Sequence, residues 1–224
     1  MFWKPIPKQD ESKMSGCCDH DAKFDGVSQD YKRRLWLVIV INALMFVVEM
    51  GAGRLAQSQA LQADALDFLG DALTYGLSMA VIGASVTVRT NAALFKGISL
   101  LVVGTWVFGS TVYRVFYGGV PAAEIMGWVG FLALVANCVS VLLLITYKDG
   151  DANVRSVWLC SRNDAIGNIA VLLAALGVWG TASGWPDLIV AGIMGSLFLS
   201  SASQIIKQAL DERREVNSHQ HQVG

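Results

Sequence analysis

The chain has 224 residues, of which 54% are hydrophobic and only 16% charged, with a formal net charge of −1 and a mean hydropathy of +0.47. That is too apolar for an ordinary soluble domain of this length. A charge so close to zero, with no basic face interleaved by aromatic residues, argues against nucleic acid as a partner.

In chain order, residues 1–32 form a polar segment carrying Cys17-Cys18-Asp19-His20-Asp21. Cys17, Cys18 and His20 are candidates for capturing a metal ion on the cytoplasmic side; the competing account is a disordered segment with incidental ligands. Six apolar stretches follow, 33–54, 60–84, 92–117, 122–147, 154–180 and 184–206. Each is close to the about 20 residues of helix that cross a hydrocarbon core of roughly 30 Å. No soluble bundle of this size needs six. The first stretch begins after some 30 residues and lacks a short apolar region with a cleavage site, so it is not expected to be a removed signal. The expected fold is all-α: a polytopic membrane protein with a transport domain over 33–207 and a short tail over 208–224.

Turn-forming residues separate the spans, as in Gln57-Ser58-Gln59, Gly118-Gly119-Val120-Pro121 and Ser183-Gly184-Trp185-Pro186, and predict antiparallel neighbours. Lysine and arginine orient the bundle. The N-terminal segment, the loops holding Arg89 with Lys96 and Lys148 with Arg155, and the tail carry most of them; the opposite face has Arg54 and Arg114. The positive-inside rule then places both termini in the cytoplasm. No disulfide framework is expected, because Cys17 and Cys18 are adjacent on the reducing side while Cys138 and Cys160 lie in different spans. Cys138 reads as a small packing residue. Pairs such as Gly51 with Gly53, Gly104 with Gly109 and Gly192 with Gly195 read as helix-packing positions and candidate dimer surface.

The polar residues inside the spans carry most of the information. Asp64, Asp67 and Asp71 stand at spacings of 3 and 4 in the second stretch, and Cys160, Asp164 and Asn168 repeat a stripe at fourfold spacing in the fifth. Residues three and four apart share one face of a helix. With the N-terminus inside, the two helices run antiparallel, and the expected register sets Asp71 level with Cys160, Asp67 with Asp164 and Asp64 with Asn168. Asp67, Asp71, Cys160 and Asp164 would then converge on one point, and three oxygens with one sulfur suit a tetrahedral divalent ion such as zinc. Interhelical hydrogen bonds or ion pairs are the structural alternative, with Arg162 the obvious partner. It lies two residues from both Cys160 and Asp164, however, and so points to another face. Uncompensated charge at membrane depth is retained mainly where an ion or proton occupies the site. Asn42 and Glu49, seven residues apart in the first stretch, share a side and suit either a proton path or interhelical hydrogen bonds.

These residues resemble a known family. Asn42 to Glu49, Gly51, Gly53, Ser58-Gln59-Ala60-Leu61 and Ala63-Asp64-Ala65-Leu66-Asp67-Phe68-Leu69-Gly70-Asp71 look like the first two helices of the cation diffusion facilitators. Asn137 and Asn163-Asp164-Ala165-Ile166-Gly167-Asn168 extend the likeness. The resemblance implies six helices, a homodimer, and proton-coupled export of zinc and similar divalent ions, with no catalytic activity and no cofactor. It also implies a motif of His or Asp, three residues, then Asp, on helices 2 and 5; here Asp67 with Asp71, and Cys160 with Asp164. Asp64, Asn168, Glu49, Asn42 and Asn137 are then a candidate secondary or proton path.

Two departures follow from the comparison. Only about 17 residues follow Lys207, so the chain is expected to be a short form without the family's cytoplasmic metal-binding domain, dimerising through its membrane helices. Cys160 stands where the family most often has His or Asp, and a thiolate there should favour zinc and cadmium over cobalt, nickel or iron and over harder ions. Metal ligands bind deprotonated, so metal arrival releases protons and proton arrival expels metal. A membrane metal sensor or scaffold, and an intramembrane aspartyl protease, are the rival readings; before Asp71 the chain has Phe68-Leu69-Gly70 and lacks the first glycine of that protease's Gly-x-Gly-Asp signature. A bacterial inner membrane suits the compact chain.

Overall fold

A computed structural model describes residues 29–80, 86–147 and 152–223, without the side chains of 152–161 and 215–223 among a few others. The Cys17, Cys18 and His20 cluster lies outside the described residues. Within them the chain is helical throughout: α1 (Gln29–Leu55), α2 (Gln59–Ala80), α3 (Val86–Tyr117), α4 (Ala123–Leu144), a short 3-10 turn (Ile145–Tyr147), α5 (Ala152–Thr181) and α6 (Trp185–Val223). Five of these helices contain segments long and apolar enough to cross a membrane. The remaining one, α2, is 22 residues long and carries Asp64, Asp67 and Asp71. The fold is all-α and the chain is an integral membrane protein.

Two connections show how local chemistry bends the chain. Between α1 and α2, Gln57 takes φ 57°, the left-handed conformation that ends a helix. Ser58 then starts α2: its N–H donates to the Gly53 carbonyl at 2.8 Å, and its Oγ accepts from the Leu61 N–H at 3.1 Å, which is N-capping by a serine. Ala182, at φ 49°, closes α5 in the same left-handed manner.

The most extensive packing is within the α1–α2 and α4–α5 hairpins and between α3 and α6. Alone among the described helices, α2 packs on all five others. Leu61 sits with Met126 of α4 and Val171, Ala174, Ala175 and Val178 of α5; farther along, Phe68 meets Met45 of α1 and Ala133 of α4. Large apolar side chains face outward in turn, Trp106, Trp128 and Trp179 among them, as a lipid-facing surface requires.

Two expectations change. Arg89 and Lys96, assigned to a loop, belong to α3, which starts at Val86. The helix of the sixth stretch does not stop near residue 206, because α6 continues to Val223. Its extension is rich in helix formers and carries an Asp211–Arg214 pair at 3.7 Å and a Gln208–Glu212 hydrogen bond at 3.1 Å, with spacings that favour a helix. The Thr90 hydroxyl donates to Glu212 at 3.3 Å and ties the extension to α3.

The glycine pairs split. A Cβ on Gly53 would meet Gln62 Cγ at 2.9 Å and one on Gly104 would meet Leu199 at 3.0 Å, whereas Gly51, Gly109 and Gly192 have nothing within 4 Å. The tightest approach between α3 and α6 is at Gly97, where a Cβ would meet Ile206 Cγ1 at 2.7 Å. Gly97→Leu is therefore expected to lower stability by about 1–3 kcal/mol through overpacking, and Gly109→Ala to leave it unchanged. Thermal unfolding in detergent checks both.

Candidate metal and proton site

α2 presents Asp64, Asp67, Asp71 and Tyr75 along one stripe, and each meets a different surrounding. Asp64 is buried at 1% exposure, while Asp67 and Asp71 are half-buried. The Tyr75 hydroxyl, itself buried, donates to Asp71. From α5, half-buried Asp164 comes within hydrogen-bonding reach of Asp71. Asp71, Asp67 and Asp64 of α2 all lie near Asp164. Asp71 and Asp164 thus lie close together, as the expected convergence requires, while the expected register of Asp71 with Cys160 falls on a side chain outside the described residues. The packing of Leu61 among Val171, Ala174, Ala175 and Val178 runs the two helices antiparallel, so that the residues ten beyond Leu61 on α2 reach the neighbourhood of Asp164 on α5.

Cys160 stands one helical turn before Asp164 on α5, and its side chain lies outside the described residues. Among the described residues, no three His, Cys, Asp or Glu side chains group closely enough to hold a metal ion. Asp67, Asp71 and Asp164 are therefore gathered but not closed around a point, and a fourth donor from position 160 would stand on the same stripe. Arg162 is exposed and donates to Asn163 Oδ1 at 3.4 Å, in keeping with a side chain directed off that stripe.

One basic group does reach the cluster. Lys96, on α3 and half-buried, acts electrostatically on Asp71. The sequence reading grouped it with Arg89 as a loop charge although it lies within the third apolar stretch, and α3 contains both. One ammonium does not neutralise three carboxylates.

A second set lies deeper. Glu49 of α1, at 0% exposure, lies near Asp64 of α2. Among the described residues, neither Glu49 oxygen nor Asp64 Oδ2 has a hydrogen-bond donor, and neither amide atom of buried Asn168 has a partner. Asn42 donates to its own helix at the Val38 carbonyl, 2.8 Å away, and leaves Oδ1 unpartnered; Asn137 of α4 is also buried. Of the residues expected along a secondary path, the structure brings Glu49 and Asp64 together. Asn42 serves its own helix.

Accessibility grades along α2. Ser58 to Leu66 are all buried, whereas Asp67 and Asp71 to Thr74 are not. α2 is thus closed in over its starting end and partly exposed at Asp67 and Asp71. That closed end is held by Asp187 of α6, which accepts from Ser58 Oγ at 2.6 Å, Gln59 N at 2.8 Å and Ala60 N at 3.0 Å. Sequence reading missed Asp187. The available signal, an acidic residue directly after Trp185-Pro186, looks like ordinary first-turn helix chemistry.

Comparison with known proteins defines the class. Residues 35–212 match the family described as the cation efflux transmembrane domain, and the chain belongs to it. It is 27% identical over 197 residues to the zinc transporter ZitB of Pectobacterium atrosepticum, covering 82% of this chain and 61% of the relative. It is 22% identical over 194 residues to the metal cation efflux system protein CzcD of Cupriavidus metallidurans, covering 80% and 61%. With the cadmium, cobalt and zinc/H(+)-K(+) antiporter of Bacillus subtilis it shares 23% identity over 188 residues, 77% of this chain and 60% of that one. The chain thus spans about three fifths of the length of these relatives.

The buried Glu49–Asp64 pair generates a stability prediction. Glu49→Gln supplies an amide N–H to Asp64 and removes one of two facing carboxylates, so the folded state should gain about 1–2 kcal/mol. A higher unfolding midpoint in detergent at neutral pH is the expected result.

Proposed function

We propose that this chain exports divalent metal ions across a membrane in exchange for protons, with zinc and cadmium as its main cargo. Asp67, Asp71, Asp164 and the thiolate of Cys160 bind the ion between α2 and α5. The observation that carries this reading is the approach of Asp71 and Asp164 from two helices of a membrane bundle, with Asp67 beside them. Carboxylates gathered within hydrocarbon are costly unless a cation or proton occupies them. Membership of the cation efflux family and likeness to a zinc transporter and a cadmium, cobalt and zinc antiporter support the same cargo.

Chemistry supplies the coupling. The ligands hold metal only when deprotonated, so a proton gradient directed inward displaces the ion and drives it outward. The accessible end of the cluster faces the cytoplasm in this reading, with both termini on that side. Tyr75 orients Asp71 for the ion, and Glu49 with Asp64 lies on the outward side of the ligands as the path for protons. Cys160 gives the site its preference for softer ions. Cys17, Cys18 and His20 deliver metal to the inner mouth, and the chain works as a homodimer in a bacterial inner membrane.

Flux in proteoliposomes under an imposed pH gradient tests the reading with zinc, cadmium, cobalt and manganese. Zinc and cadmium should move, and Asp71→Ala or Asp164→Ala should stop them; undiminished flux in both variants removes the site. Cys160→His should shift preference toward zinc over cadmium by about tenfold. An unchanged ratio would show that the thiolate does not set selectivity.

A further inference from the structure

The end of α2 farthest from the ligands is fixed by a polar network that the transport reading does not use. Asp187, at 1% exposure, spends both oxygens on α2: Oδ1 accepts from Ser58 Oγ and Ala60 N, and Oδ2 from Gln59 N. The first N–H groups of a helix have no partner within it, and a carboxylate is the strongest acceptor for them. An ordinary cap comes from the helix's own chain. Here the acceptor comes from α6, 127 residues away from Ala60, so the cap also joins two helices.

The network continues around α2. Gln59 Oε1 accepts from Ser110 Oγ at 2.7 Å and Thr111 Oγ1 at 3.3 Å, both on α3. An Arg114 guanidinium N–H donates to the Gln57 carbonyl at 2.8 Å, and the Ala122 N–H before α4 donates to the Ala56 carbonyl at 2.9 Å. Ser58, Gln59, Thr111 and Asp187 are all buried. Two helices, α3 and α6, and the start of α4 therefore converge on the first turn of α2 and the connection before it, about two turns from Asp67.

We infer that Asp187 is a positioning residue for transport: by holding the first turn of α2 against α3 and α6, it keeps the bundle closed on that side while the ligands load from the other. The inference rests on the proposed transport function. Opening that side requires the Asp187 contacts to separate, because α2 cannot move away from α6 while three donors on it share one carboxylate. Asp187 touches no ligand, so its loss should alter the cycle and leave metal affinity in place.

Asp187→Asn keeps the shape but offers one acceptor oxygen in place of two and turns an amide toward a backbone N–H. Ser58→Ala removes the hydroxyl donor, and Ser58→Thr retains it. Each variant is examined in lipid nanodiscs for backbone hydrogen exchange of residues 59–62 and for equilibrium zinc binding, and in proteoliposomes for kcat and KM. Asp187→Asn should speed that exchange and lower kcat by about tenfold or more, with KM and zinc affinity within about threefold. Ser58→Ala should move the same way by a smaller factor, and Ser58→Thr should match the unaltered protein. A variant that unfolds at lower temperature yet keeps kcat and KM overturns the inference, since Asp187 would then only hold the fold together. A parallel loss of zinc affinity of about tenfold overturns it too, because the effect would pass through the ligands. If the unaltered protein carries no metal, the transport reading and the role of Asp187 in it fall together. Unchanged exchange in Asp187→Asn, with normal flux in the unaltered protein, overturns the inference and spares that reading.

Discussion

A helix with three carboxylates cannot face lipid, and most of this structure follows from enclosing α2. Each ionisable group in hydrocarbon needs protein, water or an ion around it. The bundle answers by packing α2 on all five neighbours. Alanine at positions 60, 63 and 65, each buried, lets those neighbours approach closely. The polar residues of the surrounding helices turn inward with them: Asn42 and Glu49 from α1, Asn137 from α4, Asn168 from α5 and Asp187 from α6 are all buried, while large apolar side chains of α1 and α3 to α6 stay exposed. The core is polar along one axis and the surface is apolar.

The two ends of that axis differ in how well their polar groups are satisfied. At the first turn of α2, backbone donors, a serine, a glutamine and Asp187 meet partners at ordinary hydrogen-bond distances. Midway along, Glu49, Asp64 and Asn168 retain unpartnered atoms. Satisfied buried networks rigidify a structure, whereas incompletely satisfied ones are costly unless something else fills them. The rigid end suits a pivot and the unsatisfied middle suits exchange of small cations. In the proposed cycle, burial at the first turn of α2 and partial exposure of Asp67 and Asp71 would give the asymmetry that alternating access needs.

The sequence made the angular arrangement legible, because spacings of three and four place Asp64, Asp67 and Asp71 on one face whatever the rest of the bundle does. It also placed Asp164 against that face. Axial offset between helices is a different matter. It is set by which apolar side chains interlock, here Leu61 among Val171, Ala174, Ala175 and Val178, and no periodicity within one helix encodes it. The same limit hid Lys96, whose depth depends on where α3 begins, and Asp187, whose three donors lie more than a hundred residues away. The helical run beyond Lys207 was obscured for another reason. Its polar composition reads as a tail, although its spacing of Gln208, Asp211, Glu212 and Arg214 supports a helix.

Charge balance links Lys96 to the proposed exchange. With Asp67, Asp71 and Asp164 ionised and Lys96 protonated, the cluster carries two negative charges in excess, and one divalent ion cancels them. Two protons cancel them equally. Swapping a metal ion for two protons therefore leaves the buried charge unchanged, so neither loaded state bears a large desolvation penalty. A thiolate at Cys160 would add one negative charge to the metal-loaded and the protonated state alike, so an electroneutral exchange would still take two protons for one divalent ion.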